Sequence, residues 1–395
     1  MKMSAPEKLG FSAKRLERIN VGVQRHVDQN KAAGVVTLVA RRGSVVHFEK
    51  CGYQDLASGT PVELDTIFRI YSMTKPITSV ALMMLFERGL VRLTDPVSAY
   101  IPAFKDLKVY VNEDERADLA REITVQDLLT HTAGFSYGGY EETKLPVDKL
   151  YDQTDIWVSD IDNQDMVRRL CQLPLAFQPG QRWCYSAATD VVGYLVEVIS
   201  GQALGAFFEE NIFQPLGMVD TSFIVPPGKV DRFATLYGLQ GKGPLELVDD
   251  TIGGDFFNTR LEYGGAGLVS TAADYLRFTQ MVSNKGQLDG ARLLGPKTVE
   301  LMRSNHLSPA LLATMGEARM TGHGFGLGFS VVMDVPQSGS IGSVGVYGWG
   351  GWASTNFWID PQEELVGILM QQCIVADTHP LRGDFRTLVY QALID

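Results

Sequence analysis

The chain has 395 residues, 45% of them hydrophobic and 21% charged, with a formal net charge of −11. That is ample apolar material for a core and enough length for two or three domains. The acidic balance argues against nucleic acid or an anionic membrane as a partner, since both bind a basic face, and leaves small neutral substrates open.

The opening stretch MKMSAPEKLGFSAKRLERI lacks an apolar segment before a small-residue cleavage site, so no secretory signal is expected. The longest apolar run, Val80 to Phe86, is too short to span a bilayer. Leu16, Ile19, Val23 and Val27 recur at helical spacing and predict a first amphipathic helix. VVTLVARRGSVVHFEK then reads as two strands around a turn at Arg42-Gly43-Ser44. In the middle, ITVQDLLTHTAG, DVVGYLVEVISG, LGAFFEENIFQPLG and TAADYLRFTQMV are helical patterns separated by Gly, Pro and polar loops. Near the end, ASTNFWID, the turn PQEE and LVGILMQQ predict a second hairpin. A helix follows, with Leu381, Phe385, Leu388, Val389 and Ala392 on one face.

A hairpin and a helix at each end predict an α+β fold, with one antiparallel sheet assembled from both termini and flanked by the terminal helices. Residues 1–95 and 325–395 would form that sheet domain. Residues 96–324 would form a mainly helical insertion lining a cleft. Cys51, Cys171, Cys184 and Cys373 are scattered without metal-type spacing and read as reduced core or pocket thiols, which fits a cytoplasmic protein. The six histidines form no His-Glu-x-x-His cluster, so neither a metal nor another cofactor is expected.

The segment IYSMTKPITSVALMMLF places a serine and a lysine three residues apart at the mouth of an apolar run. Ser-x-x-Lys occurs roughly once by chance in a chain of this length, so its setting has to decide. Pro76 is tolerable only near a first helical turn, which starts the helix close to Ser72. Ile77, Val80, Ala81, Met84 and Leu85 mark one face and Leu82, Met83 and Phe86 another, so the helix is buried. Ser72 and Lys75 then share a side at the positive end of a buried helix. Burial and the dipole both disfavour the ammonium, and a depressed lysine beside a hydroxyl can activate serine without histidine. Locally, an N-cap serine beside a snorkelling lysine explains the residues equally well.

The ordered stretches YSMTKPITSVALMMLFERGLVRLTDPVSAYIP, ITVQDLLTHTAG, FQPGQRWCYSAATDVVGYLVEVISG, GGAGLVSTAADYLRF and YGWGGWASTNFWID settle that choice. Over nearly the whole length they resemble the serine β-lactamase and penicillin-binding-protein-like superfamily on its class C side. Within it they resemble most the family VIII carboxylesterases. The resemblance implies that Ser72 is the acylated nucleophile, Lys75 its first proton partner and Tyr185 the phenol that relays a proton to the leaving group. The superfamily's Tyr-x-Asn stands here as Tyr185-Ser186-Ala187, and its Lys-Thr-Gly as Trp349-Gly350-Gly351. By analogy the backbone N–H groups of Ser72 and Trp352 form the oxyanion hole. Ala187 offers no amide and Trp349 offers an aromatic wall where relatives place a cation. The resemblance so altered implies uncharged acyl esters, with short chains expected.

Three further motifs carry other readings. GFSYG matches a Gly-x-Ser-x-Gly elbow, but a helical pattern precedes Ser136 and the polar loop GYEETKLP follows, so Ser136 reads as a loop residue. Phe135 and Tyr137 beside it are expected to face substrate. His131 sits at a helix end, where a structural hydrogen-bonding role is expected. GWGGWA is followed by a strand, which rules out a dinucleotide fingerprint. The expected protein is therefore a cofactor-free serine carboxylic ester hydrolase acting on a small-molecule ester. Acyl transfer to an alcohol, β-lactam or D-Ala-D-Ala hydrolysis, and a silent binding protein on the same fold remain the rivals, and the oligomeric state is not legible.

Overall fold

The computed structural model describes residues 3–139, 145–239, 241, 243–248, 254–315, 320–375 and 379–395. Most of the loop GYEETKLP lies outside them. Helix α1 (Ala13–Asp28) starts at Ser12, whose side chain accepts the Arg15 N–H, and it buries Leu16, Ile19 and Val23. Strands β1 (Gly34–Arg41) and β2 (Ser44–Asp55) form the first hairpin. Arg42 and Gly43 between them hold φ at +51° and +73°, as a tight two-residue hairpin turn requires. After the short β3 (Thr60–Pro61) comes α2 (Thr74–Glu87), buried along most of its length.

The middle segment supplies α3 (Ala188–Ser200) and α4 (Ala272–Ser283). Over ITVQDLLTHTAG only Val125–Leu129 is helical, because the chain soon turns left-handed at His131 (φ +56°). The remaining strands are β4 (His323–Phe325), β5 (Ser330–Val332), β6 (Tyr347–Gly350), β7 (Asn356–Asp360) and β8 (Leu365–Gln371), followed by α5 (Pro380–Tyr390).

One eight-stranded antiparallel sheet runs in the order β4-β5-β6-β7-β8-β1-β2-β3. Its seam pairs the N-terminal β1 with the C-terminal β8, from Val35 opposite Gln371 to Arg41 opposite Leu365. Alternate side chains of β1 therefore point to two separate cores. Val35 and Val39 join Leu16, Ile19, Val23, Trp358, Phe385 and Val389 beneath α1 and α5. Val36 and Leu38 join Phe357, Ile368, Val80 and Tyr275 on the side of α2 and α4. Full burial of one such side chain contributes about 1.5–3 kcal/mol, so both faces are firmly held. A two-residue pairing, Phe68–Arg69 with Val269–Ser270, ties the segment before α2 to the one before α4. Helix α4, from the middle segment, packs against β8 of the sheet.

All four cysteines are free thiols, Cys184 and Cys373 buried and Cys51 and Cys171 half-buried. Among the described residues no single helix is long and apolar enough to cross a membrane.

Candidate active site

The chain bends sharply just before Ser72. Tyr71 holds φ at +41°, a left-handed conformation that costs a bulky residue about 1–3 kcal/mol. Packing fixes it there: the buried ring stands edge-on to Phe256 at 5.8 Å and to Trp352 at 5.6 Å. A 3-10 turn, Tyr71–Met73, then leads into α2 and leaves Ser72 half-buried at the mouth of the buried helix. Two donors converge on its hydroxyl. Tyr185 Oη lies 2.6 Å and Lys75 Nζ 3.2 Å from Ser72 Oγ.

Lys75 is 2% exposed, so the snorkelling alternative does not describe it. Its Nζ also donates to the Gly265 carbonyl at 2.8 Å, and it sits over the rings of Tyr185 (4.5 Å) and Tyr137 (5.1 Å). Beneath lies Asp190, in the first turn of α3, where the helix dipole favours a carboxylate. Asp190 accepts the Gly265 N–H and the Tyr137 hydroxyl, both at 2.9 Å. Burial pushes its carboxyl upward, while Lys75 pulls it back down. The Gly265 backbone lies so close that a Cβ there would stand 2.6 Å from Asp190 Oδ2. Burial of a lone ammonium is costly; the carbonyl, the two ring faces and the carboxylate offset that cost.

Tyr185 is enclosed by rings: His131 at 4.9 Å, Trp349 at 5.3 Å and Tyr137 at 5.5 Å. Trp349 Nε1 donates to Tyr185 Oη at 3.4 Å, a long bond from β6. Gly350 continues that strand opposite Asn356, and Gly351 and Trp352 follow it in the loop toward β7. Ala187 is fully buried at the start of α3.

Two expectations need correction. Phe135 does not face a substrate: it is fully buried and stands edge-on to Phe104 at 5.9 Å, because its turn points it into the helical core. Tyr137 does reach the site, with its hydroxyl turned inward to Asp190. His131 hydrogen-bonds through its backbone, whose carbonyl accepts the Cys184 N–H, whereas its ring packs among Tyr185, Trp183 and Phe325 and its Nδ1 has no partner. Burial first, and then Lys75, hold the His131 ring well below the usual histidine range. Ser136 is a buried loop residue whose hydroxyl donates to Asp148 Oδ1 at 2.6 Å.

Asp190, Gly265, Trp157 and Phe325 were not foreseen. Asp190 ends the stretch YSAATD, five residues after Tyr185, and Gly265 ends the Gly264-Gly265 pair, so a polar residue early in an apolar helix and a double glycine were the available signals. Trp157 packs on Tyr137 at 5.5 Å and Phe325 on Trp349 at 5.3 Å, closing the aromatic walls.

A family model described as Beta-lactamase matches residues 22–384. An uncharacterized protein of Mycobacterium tuberculosis is 34% identical over 382 residues, 91% of this chain and 90% of that protein. Esterase EstB of Burkholderia gladioli is 30% identical, covering 87% of this chain and 86% of its own. Among solved structures, EstCE1, described as a hydrolase with promiscuous acyltransferase activity, superposes with a TM-score of 0.80 at 28% identity. The match covers 95% of this chain and 99% of that one.

Proposed function

The chain belongs to the Beta-lactamase family, within which it is a serine hydrolase, and from that premise we propose a carboxylic ester hydrolase that works through a Ser72 acyl-enzyme. The observation that carries the proposal is the convergence of Tyr185 Oη and Lys75 Nζ on Ser72 Oγ. Ser72 Oγ attacks the acyl carbon of the ester, and its proton passes into the Lys75–Tyr185 pair. The oxyanion meets the backbone N–H groups of Ser72 and Trp352. Tyr185 hands a proton to the departing alkoxide. Water, deprotonated by the same pair, then releases the acid. Each step uses only side chains, backbone and water.

The substrate class follows from the walls. Trp349, Gly350 and Gly351 on one side and Tyr137 with Trp157 on the other present rings and backbone, and by the resemblance Trp349 takes the place of the lysine in the superfamily's Lys-Thr-Gly. A substrate carboxylate would be desolvated there without a partner, at about 1–3 kcal/mol or more. Small uncharged acyl esters, short-chain ones first, fit best. Ala187 and Trp349 together weigh against β-lactam or D-Ala-D-Ala hydrolysis. A second reading, acyl transfer to an alcohol, is favoured by the likeness to EstCE1 and uses the same residues.

The test is intact-protein mass spectrometry after treatment with a fluorophosphonate, alongside turnover of a nitrophenyl ester and a chromogenic cephalosporin. One adduct, mapped to Ser72, and a preference for the ester are expected. Ser72→Ala should lower ester turnover by several orders of magnitude. Labelling at Ser136, or a preference for the cephalosporin, would sink the reading.

A further inference from the structure

Arg382 lies in the first turn of α5, the helix end at which the backbone dipole disfavours a cation. Burial pushes its guanidinium down to about 10, and no carboxylate pairs with it among the described residues. Its donors go to three backbone carbonyls of one loop: Nη2 to Gly351 and to Thr355 (2.9 Å), and Nε to Ser354 (3.4 Å). That loop joins β6 to β7 and carries Trp352. The Gly351 carbonyl also accepts the Ser354 N–H at 3.0 Å, which closes a four-residue turn, with Ser354 left-handed at φ +69°.

A trans peptide is planar, with its C=O and N–H pointing in opposite directions. The Gly351 carbonyl and the Trp352 N–H belong to one peptide unit. Holding that carbonyl toward Arg382 and the turn interior therefore faces the Trp352 N–H outward. The turn rests against the residues just before the nucleophile. A Cβ at Gly351 would stand 2.4 Å from the Ile70 carbonyl oxygen, Thr355 Oγ1 is 3.5 Å from the same oxygen, and the Trp352 ring packs on Tyr71. A cation on the carbonyl oxygen also polarises the unit, which strengthens its N–H as a donor.

We infer that Arg382 is a positioning residue of the oxyanion hole, fixing and polarising the Gly351–Trp352 peptide so that its N–H receives the negative charge on the acyl oxygen. The inference rests on the proposed acyl transfer through Ser72. The plainer role for Arg382 is a staple between α5 and the β6–β7 loop, and the two roles differ in what they do to the transition state.

Arg382→Gln and Arg382→Lys are compared with the wild-type chain on a neutral nitrophenyl ester, and against a trifluoromethyl ketone of matching acyl group, whose adduct carries the oxyanion. In Arg382→Gln, kcat should fall about 10- to 100-fold with KM within about threefold, and ketone affinity should fall in step with kcat/KM. Arg382→Lys keeps the charge but not the fork and should lie between. If Arg382→Gln does not fold, Arg382→Lys carries the same two measurements. A lowered Tm with kcat/KM and ketone affinity both within about twofold of wild type would overturn the inference. The Ser72 reading fails separately: if Ser72→Ala still hydrolyses the ester, no Ser72 oxyanion exists and this role for Arg382 falls with it.

Discussion

Tyr185 is held by ring contacts with His131, Trp349 and Tyr137, with the Lys75 cation over its face. That packing aims its hydroxyl at Ser72 Oγ and leaves little freedom for another rotamer. His131, though in ring contact, is held by burial well below the usual histidine range, which makes its ring a weak proton acceptor. In this arrangement the phenol matters most when the leaving group needs a proton. Tyr185→Phe should therefore lower kcat/KM for an alkyl ester at least about tenfold more than for a nitrophenyl ester, whose alcohol departs as a stable anion. The comparison needs one acyl group on two alcohols. Equal losses on the two would show that Tyr185 acts only before the leaving group departs.

At the scale of elements, the β1–β2 hairpin carries one buried titratable group within the sheet, His47. Thr37 Oγ1 and His47 Nε2 lie 2.8 Å apart on adjacent strands, and burial lowers the His47 pKa from 6.5 to about 4. Between those values the unfolded chain binds a proton that the folded chain does not, so stability rises with pH across that window. The contribution is complete above pH 6.5 and is lost as pH falls toward 4, for a total on the order of 3 kcal/mol. Glu197 on α3 works in the opposite sense: burial raises its carboxyl to about 7, so it favours the folded state at the acid end. A difference measurement separates them. Urea unfolding of wild type and His47→Gln should show a stability gap that narrows as pH drops from 6.5 to 4. A gap independent of pH would mean that His47 does not titrate in that window.

For the molecule as a whole, the sheet closes on itself in sequence because β1 pairs with β8, and this draws the two ends of the chain together. Phe11 bridges Leu393, the Ile394 N–H donates to the Gly10 carbonyl, and Arg41 donates to Leu9 O and Asp395. The β2–β3 tip at Ser58-Gly59 is exposed, and beyond it only the short edge strand β3 remains. A circular permutant that joins the present ends by a short Gly/Ser linker and opens at Ser58-Gly59 should therefore fold. Ester turnover within about threefold of the parent is expected, since Ser72, Lys75 and Tyr185 stay on uncut segments. Absence of a cooperative thermal unfolding transition in the permutant would show that chain continuity at that tip is required for folding.

The sequence alone carried the local facts. The spacing of Leu16, Ile19 and Val23, the Arg42-Gly43 turn, the apolar α2 and the terminal hairpins are period and turn signals, and each element formed where they placed it. Ser72 and Lys75 were legible for the same reason, since three residues of helix fix their relative position. Tertiary structure decided what no spacing encodes. Phe135 and Tyr137 are two residues apart, yet one enters the helical core and the other the site, because the turn between them is set by packing against distant segments. Asp190 meets Lys75 through Gly265, and Arg382 meets Gly351, across long stretches of chain. Such contacts are made by the folding of whole layers onto one another, and a sequence read residue by residue has no period at which to show them.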